Sequence, residues 1–178
     1  MKFLAIAAGF CLVCTQIHAL PFMHTMALAN VMTPTISDMR QISQIFLKEF
    51  PGPYQLDQAQ TENLGDFIVA KLKGGNQELD SDAIFNIFHS NNPALDTAFF
   101  VKIGNDFISV ASTFKTVDGL STRGSTLGYS NPAYKYLLSG SGYEGKVTLF
   151  GKDYMAKYDV LKDVRGQVIG AYLITKPL

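Results

Sequence analysis

Cysteine and histidine are scarce in this chain of 178 residues. There are two cysteines, Cys11 and Cys14, both within the first fifteen positions, and three histidines, His18, His24 and His89. Whatever lies beyond residue 14 therefore has no disulfide framework and no Cys-His nucleophile, and beyond residue 19 only His24 and His89 remain, too few for a multi-histidine metal cluster. Serine, aspartate and glutamate are present, but at no spacing that marks a triad, a carboxylate pair or a calcium loop. Glycine-rich stretches occur at Gly119 to Gly128 and Gly140 to Gly142, yet neither sits between a strand and a helix or carries the lysine of a phosphate loop. An enzyme is not expected, and no cofactor or metal is implied. Charge of either sign is also in short supply: Lys plus Arg number 15 and Asp plus Glu number 15. No basic field exists to hold nucleic acid.

Apolar runs of membrane-spanning length are missing as well, since a spanning helix needs roughly 20 residues. The longest run, Phe3 to Val13, follows Lys2 and leads to Ala19, which is the layout of a secretory signal peptide. Cleavage is expected after Ala19, with the small-x-small site Ala27-Leu28-Ala29 as the alternative. Lipidation is disfavoured because Phe10 and Val13, both large, precede the two cysteines. The reading is thus a signal at 1–19 (or to 29), one domain at 30–178, and a periplasmic or secreted location.

From residue 33 the pattern is that of an ordered domain. Thr33-Pro34 followed by Ile36, Met39, Ile42, Phe46 and Phe50 predicts an amphipathic helix that stops at Pro51-Gly52-Pro53. Asp57 with Gln60, then Leu64, Phe67, Ile68 and Leu72, predicts a second helix ending at Gly74-Gly75, and Ser81 to Phe88 a third. The period then changes. Thr97 to Ile103 and Phe107 to Phe114 read as two strands of a hairpin closed by Gly104-Asn105-Asp106. A loop from Gly119 to Ser130 and a short helix over Pro132 to Leu138 follow, and then strands at Gly145 to Phe150, Asp153 to Leu161 and Val168 to Thr175. The fold class is α+β: a five-stranded antiparallel sheet, helices packed on one face, and the connection from Gly119 to Gly142 arching over the other.

Asp106-Phe107-Ile108-Ser109-Val110-Ala111-Ser112-Thr113-Phe114-Lys115, Asp118-Gly119, Gly124-Ser125-Thr126-Leu127 and Asn131-Pro132-Ala133-Tyr134 come in a distinctive order. Leu137-Leu138-Ser139-Gly140, Gly145 to Met155 and Asp163 to Gly170 continue it. In sequence and spacing these resemble the Cache type 3/type 2 fusion family, most specifically between Thr148 and Met155. The resemblance implies a PAS-like sheet with a long N-terminal helix behind and a ligand pocket in front, used as the extracytoplasmic sensor of chemoreceptors and kinases. The sequence stops at Leu178 without a second membrane helix or an output domain. The expectation is therefore a soluble periplasmic module for signalling or chemotaxis that binds a small molecule and acts with a membrane receptor or histidine kinase. A ligand-free domain that docks a membrane partner is the alternative.

Candidate ligand residues follow from the strands and the arch. Alternation places Tyr154, Ala156, Tyr158 and Val160 on one face, and in the preceding strand Lys146, Thr148 and Phe150 on one side against Val147 and Leu149. Tyrosines offer apolar area with a terminal hydroxyl, or else serve as ordinary core aromatics. Arg123 suits a ligand carboxylate through its planar fork, with Lys146 and Lys157 as further cations, though charged side chains are mostly solvated. Tyr134, with Tyr129, flanks the crossover helix as a lid or as packing. The ligand-binding set is Tyr154, Tyr158, Arg123, Tyr134, Thr148, Phe150 and Lys146, and carboxylates head the ligand classes.

Overall fold

A computed structural model describes residues 36–178. The first 35, which include the expected signal and its cleavage sites, lie outside the described residues. Helix α1 (Ile36–Glu49) begins the described chain. Met39, Phe46 and, one residue beyond the helix, Phe50 are buried on one side of it, as the spacing of three and four predicts.

The expected second helix is absent. In its place, β1 (Tyr54–Leu64) and β2 (Phe67–Gly74) form an antiparallel hairpin, extended by the two-residue β3 (Gln77–Glu78). Leu64 pairs with Phe67, so Gly65-Asp66 is a two-residue turn, and Gly65 takes the positive φ of 60° that such a turn requires. Asp57 caps nothing. Its carboxylate accepts from the Ala59 N–H and from Lys73 Nζ at 2.9 Å, beside the bulge between Asp57 and Thr61. The expected third helix is present as a 3₁₀ turn (Asp82–Phe85) that runs into α2 (Asn86–Asn91).

The five-stranded sheet forms from β4 (Asp96–Ile103), β5 (Asp106–Ser112), β6 (Tyr143–Leu149), β7 (Lys152–Lys162) and β8 (Val168–Pro177). Its order is β5-β4-β8-β7-β6, antiparallel throughout. A short helix, α3 (Tyr134–Leu138), lies in the connection between β5 and β6.

Each face of the sheet has its own core. On the back, Phe99, Val101, Ile108, Val110, Met155, Leu161, Tyr172 and Ile174 pack against α1, the small sheet, the 3₁₀ turn and α2. On the front, Ala98, Phe100, Phe107, Tyr154, Ala156, Tyr158, Ala171 and Leu173 meet Phe114, Ala133 and Leu137 from the crossover. The back layer is therefore a helix and a small sheet with one further turn of helix, rather than helices alone.

Candidate functional site

The front core is not completely filled. A cavity of about 60 Å³ lies between the sheet and the crossover. Its floor is Ala98, Phe100, Ser109, Ser112, Tyr158 and Leu173, and its roof comes from Thr122, Ser125, Thr126, Leu127 and Asn131. Phe114, Leu149 and Phe150 form the side.

The roof is held in place by backbone bonding to β5. Ser109 N–H donates to Ser125 O (2.9 Å), Gly124 N–H to Ser109 O (2.7 Å) and Leu127 N–H to Phe107 O (2.9 Å). Gly124 needs its φ of 83° to make that approach. Ser121 Oγ donates to Asp82 Oδ2 (2.7 Å), which ties the same segment to the 3₁₀ turn behind the sheet.

Inside, the polar groups are hydroxyls and one amide. Ser109, which lines the cavity, is 1% exposed, and its Oγ has no hydrogen-bond partner. A buried hydroxyl without a partner costs about 1–3 kcal/mol, which makes this atom a polar exception in an apolar core. Thr122 Oγ1 donates to Ser112 Oγ (2.7 Å). Asn131 Nδ2 donates to Tyr158 Oη (3.0 Å), which leaves the tyrosine hydrogen free to donate onward. Burial pushes the Tyr158 hydroxyl up to about 12, against a smaller opposing pull from the Asn131 bond.

Beyond Phe114 and Phe150 a second space opens, an outer cleft of about 540 Å³ lined by Asp96, Thr113, Lys115, Thr116, Val117, Gly151, Lys152 and Tyr154 together with those two rings. Phe114 is 4% exposed and fixed, edge-on to Tyr154 at 5.8 Å. Phe150 differs: it is 44% exposed, with its ring 5.7 Å from that of Phe114. Leu149 pairs with Lys152, so Phe150-Gly151 is a two-residue turn with φ of 50° and 78°. Both positions of such a turn favour Asn, Asp or Gly. Phe150 is the one non-glycine at positive φ among the described residues, a strain of about 1–3 kcal/mol.

The structure brings Tyr158 and Phe150 together at the inner cavity, and Tyr154 and Phe150 at the outer cleft. It separates the others from both. Lys146 and Thr148 point away from the front face, because it is Val147 that turns inward opposite Tyr154; Thr148 Oγ1 instead bonds Asp153 Oδ1 (2.6 Å). Lys157 lies on the back, bound to Glu144 Oε1 (2.5 Å). Tyr134 is buried and donates to Asn105 O (2.5 Å), while the exposed Tyr129 packs on it with ring centroids 4.9 Å apart.

Arg123 is the largest departure. It points through the edge of β5, donating to Val110 O, Asp80 O and Glu62 Oε2, each at 2.7 Å. It lines a charged groove of about 410 Å³ with Thr61, Glu62, Lys71, Glu78, Asp80 and Ser81, and its Nε and Nη2 are committed there. Ser109, Ser112, Phe114 and Asn131 were not singled out from sequence. The signal for the serines was polarity on the inward side of an otherwise apolar strand, since a buried polar residue is more informative than an exposed apolar one. The signal for Asn131 was its place two residues before Ala133, whose N–H it accepts at 2.9 Å.

Among the described residues no group of three or more His, Cys, Asp or Glu side chains is arranged to hold a metal, and no helix is long and apolar enough to cross a membrane. Comparison with curated proteins and with solved structures returns no match. The family model described as Cache 3/Cache 2 fusion domain matches residues 23–177, which takes in every strand of both sheets and both cavities of the front face. The chain belongs to the Cache 3/Cache 2 fusion family, whose members are extracytoplasmic sensor domains.

Proposed function

We propose that this domain binds a small molecule at the front of its sheet and, as an exported module, passes the event to a membrane receptor or histidine kinase in signalling or chemotaxis. The observation that carries this reading is the unfilled front core: a small space beside the unpartnered Ser109 hydroxyl and the Tyr158–Asn131 pair, next to a cleft of metabolite size. Export is supported by the layout of Met1 to Ala19 and by membership of an extracytoplasmic family. No residue of the inner cavity forms a nucleophile–base pair, so binding without turnover is the reading adopted. An anionic ligand would meet Lys115 and Lys152 in the outer cleft rather than Arg123, Lys146 or Lys157.

A thermal-shift screen against organic acids, amino acids, purines, polyamines and neutral polyols tests the reading. A compound that binds only the folded state adds about 2.7 kcal/mol at 100 times its Kd. At about 2–4 °C per kcal/mol for a domain of this size, a true ligand raises the midpoint by roughly 5–10 °C. Ser109→Ala should leave the ligand-free midpoint unchanged or slightly higher and shrink the shift. A broad screen that moves nothing returns the domain to the alternative role of docking a membrane partner without a ligand.

A further inference from the structure

We propose that Phe150 is the door between the outer cleft and the inner cavity, and that the chamber behind it takes an uncharged, hydrogen-bonding group (an alcohol or an amide) at the end of a larger molecule whose remainder lies in the cleft. This rests on the reading that the front of the sheet is a ligand site. The inner cavity alone, at about 60 Å³, is well below the roughly 300–1,000 Å³ of a site for a whole small molecule. The outer cleft, at about 540 Å³, has the size of a metabolite site. Phe114 and Phe150 line both, so the two spaces meet at these rings.

The two rings are held unequally. Phe114 is buried, wedged against Tyr154, with its N–H held by Ser112 Oγ at 3.1 Å. Phe150 has water on one side and sits on a turn whose backbone disfavours a large side chain, so swinging it outward gives up little packing. The fixed ring is the frame and the strained one the leaf.

The chemistry of the chamber follows from its walls. Among the described residues that line it there is no Lys, Arg, His, Asp or Glu. A carboxylate or ammonium group would lose its hydration there and find no counter-charge. The groups on offer are Ser109 Oγ, the Tyr158 hydroxyl hydrogen and the hydroxyls of the roof, which both donate and accept. Charged parts of the same molecule belong outside, where Lys152 has no ion-pair partner among the described residues and Asp96 and Lys115 share the cleft.

The test uses the full chain with Cys11→Ser and Cys14→Ser, so that a single introduced thiol reports on the chamber. Ser109→Cys is treated with iodoacetamide, which is neutral, and with iodoacetate, which is anionic; the exposed Ser90→Cys supplies the intrinsic rate of each reagent. The same measurements are repeated with Phe150→Asn, which removes the ring and leaves Asn-Gly, a favoured pair for this turn. The expected result is slow labelling of the thiol placed by Ser109→Cys while the Phe150 ring is present. Phe150→Asn should accelerate iodoacetamide by about tenfold or more, the ratio that about 1.4 kcal/mol of opening free energy represents. Iodoacetate should stay behind iodoacetamide after correction by Ser90→Cys. Equal rates with and without the ring overturn the door, and iodoacetate keeping pace overturns the uncharged chamber. If Ser109→Cys does not melt cooperatively, Thr122→Cys on the roof carries the same comparison. Ring-dependent labelling with an empty ligand screen keeps the door and sinks the sensor reading, whereas ligand shifts with ring-independent labelling do the reverse.

Discussion

Arg123 connects three parts of the molecule through one guanidinium: the carbonyl of Val110 in β5, the carbonyl of Asp80 before the 3₁₀ turn, and the carboxylate of Glu62 in β1. Because Arg123 also belongs to the roof of the front cavity's crossover, it fastens that roof to the back layer. Arg123→Gln should lower the unfolding free energy by about 2–3 kcal/mol, the sum of stranded carbonyls and a lost charge-assisted bond. Urea titration measures it. Affinity for a ligand found in the screen should change little, because the side chain faces neither front cavity. From sequence, its fork invited a carboxylate ligand, and only the path of the chain reveals that two backbone oxygens and the Glu62 carboxylate already engage its Nε and Nη2. The tyrosines were more legible: strict alternation in β7 sorts Tyr154 and Tyr158 to one face, and both lie on the front. For β6 the alternation sorts Lys146 and Thr148 together equally well but does not say which side is inward. The turn at Phe150 then reverses the chain, so that Phe150 lines the front spaces while Lys146 and Thr148 do not.

The contact of α1 with the sheet combines an apolar stripe with a polar clasp at its edge. Arg40 Nε lies 3.3 Å from Glu144 Oε2, whose other oxygen accepts from Lys157 Nζ at 2.5 Å, so one carboxylate joins the helix to β6 and β7. Burial alone would raise the Glu144 pKa, but the Lys157 bond and charge, with Arg40 behind them, outweigh it and hold the group below the ordinary carboxylate range. A carboxyl that is more acidic folded than unfolded stabilises the fold above its unfolded pKa, about 4.3, and that stability is lost as pH falls through the folded value. Glu144→Gln should therefore cost about 1 kcal/mol near neutrality, the upper end for ion pairs that water still reaches, and the deficit should vanish in acid. Midpoints measured from about pH 7 to pH 3 should converge. Asp57 works in the same direction through its bond to Lys73. The hairpin that carries Asp57 is where reading by periodicity failed. Leu64, Phe67, Ile68 and Leu72 are spaced like a helical stripe only because a two-residue turn falls between Leu64 and Phe67. Gly65-Asp66 was the available signal, and Ile68, at 71% exposure, is the residue that a buried helical stripe could not have accommodated.

Stability of the domain as a unit converges on Phe46. Its ring meets those of Phe50, Phe85, Phe88, Phe99 and Tyr172, so α1, the 3₁₀ turn, α2, β4 and β8 share one aromatic cluster. Phe46→Ala should cost about 3–5 kcal/mol, a large part of the roughly 5–15 kcal/mol that holds a typical domain together. The thermal midpoint should fall by roughly 10 °C, as seen by calorimetry. The sheet order β5-β4-β8-β7-β6 bears on how this unit comes into being. β8 is the last strand in the chain and the middle strand of the sheet, pairing with β4 on one side and β7 on the other. Until it arrives, the β4–β5 and β6–β7 hairpins exist only as two separate fragments, each exposing the strand edge that β8 will cover and the apolar side chains of the front core. Local pairing is available early, but closure of the sheet waits for residues 168–177 and for contacts between positions far apart in the chain, such as Asp96 with Thr175. A nascent chain of this design keeps its five-stranded sheet open until residues 168–177 have been made, which leaves its two hairpins within reach of chaperones in the interval.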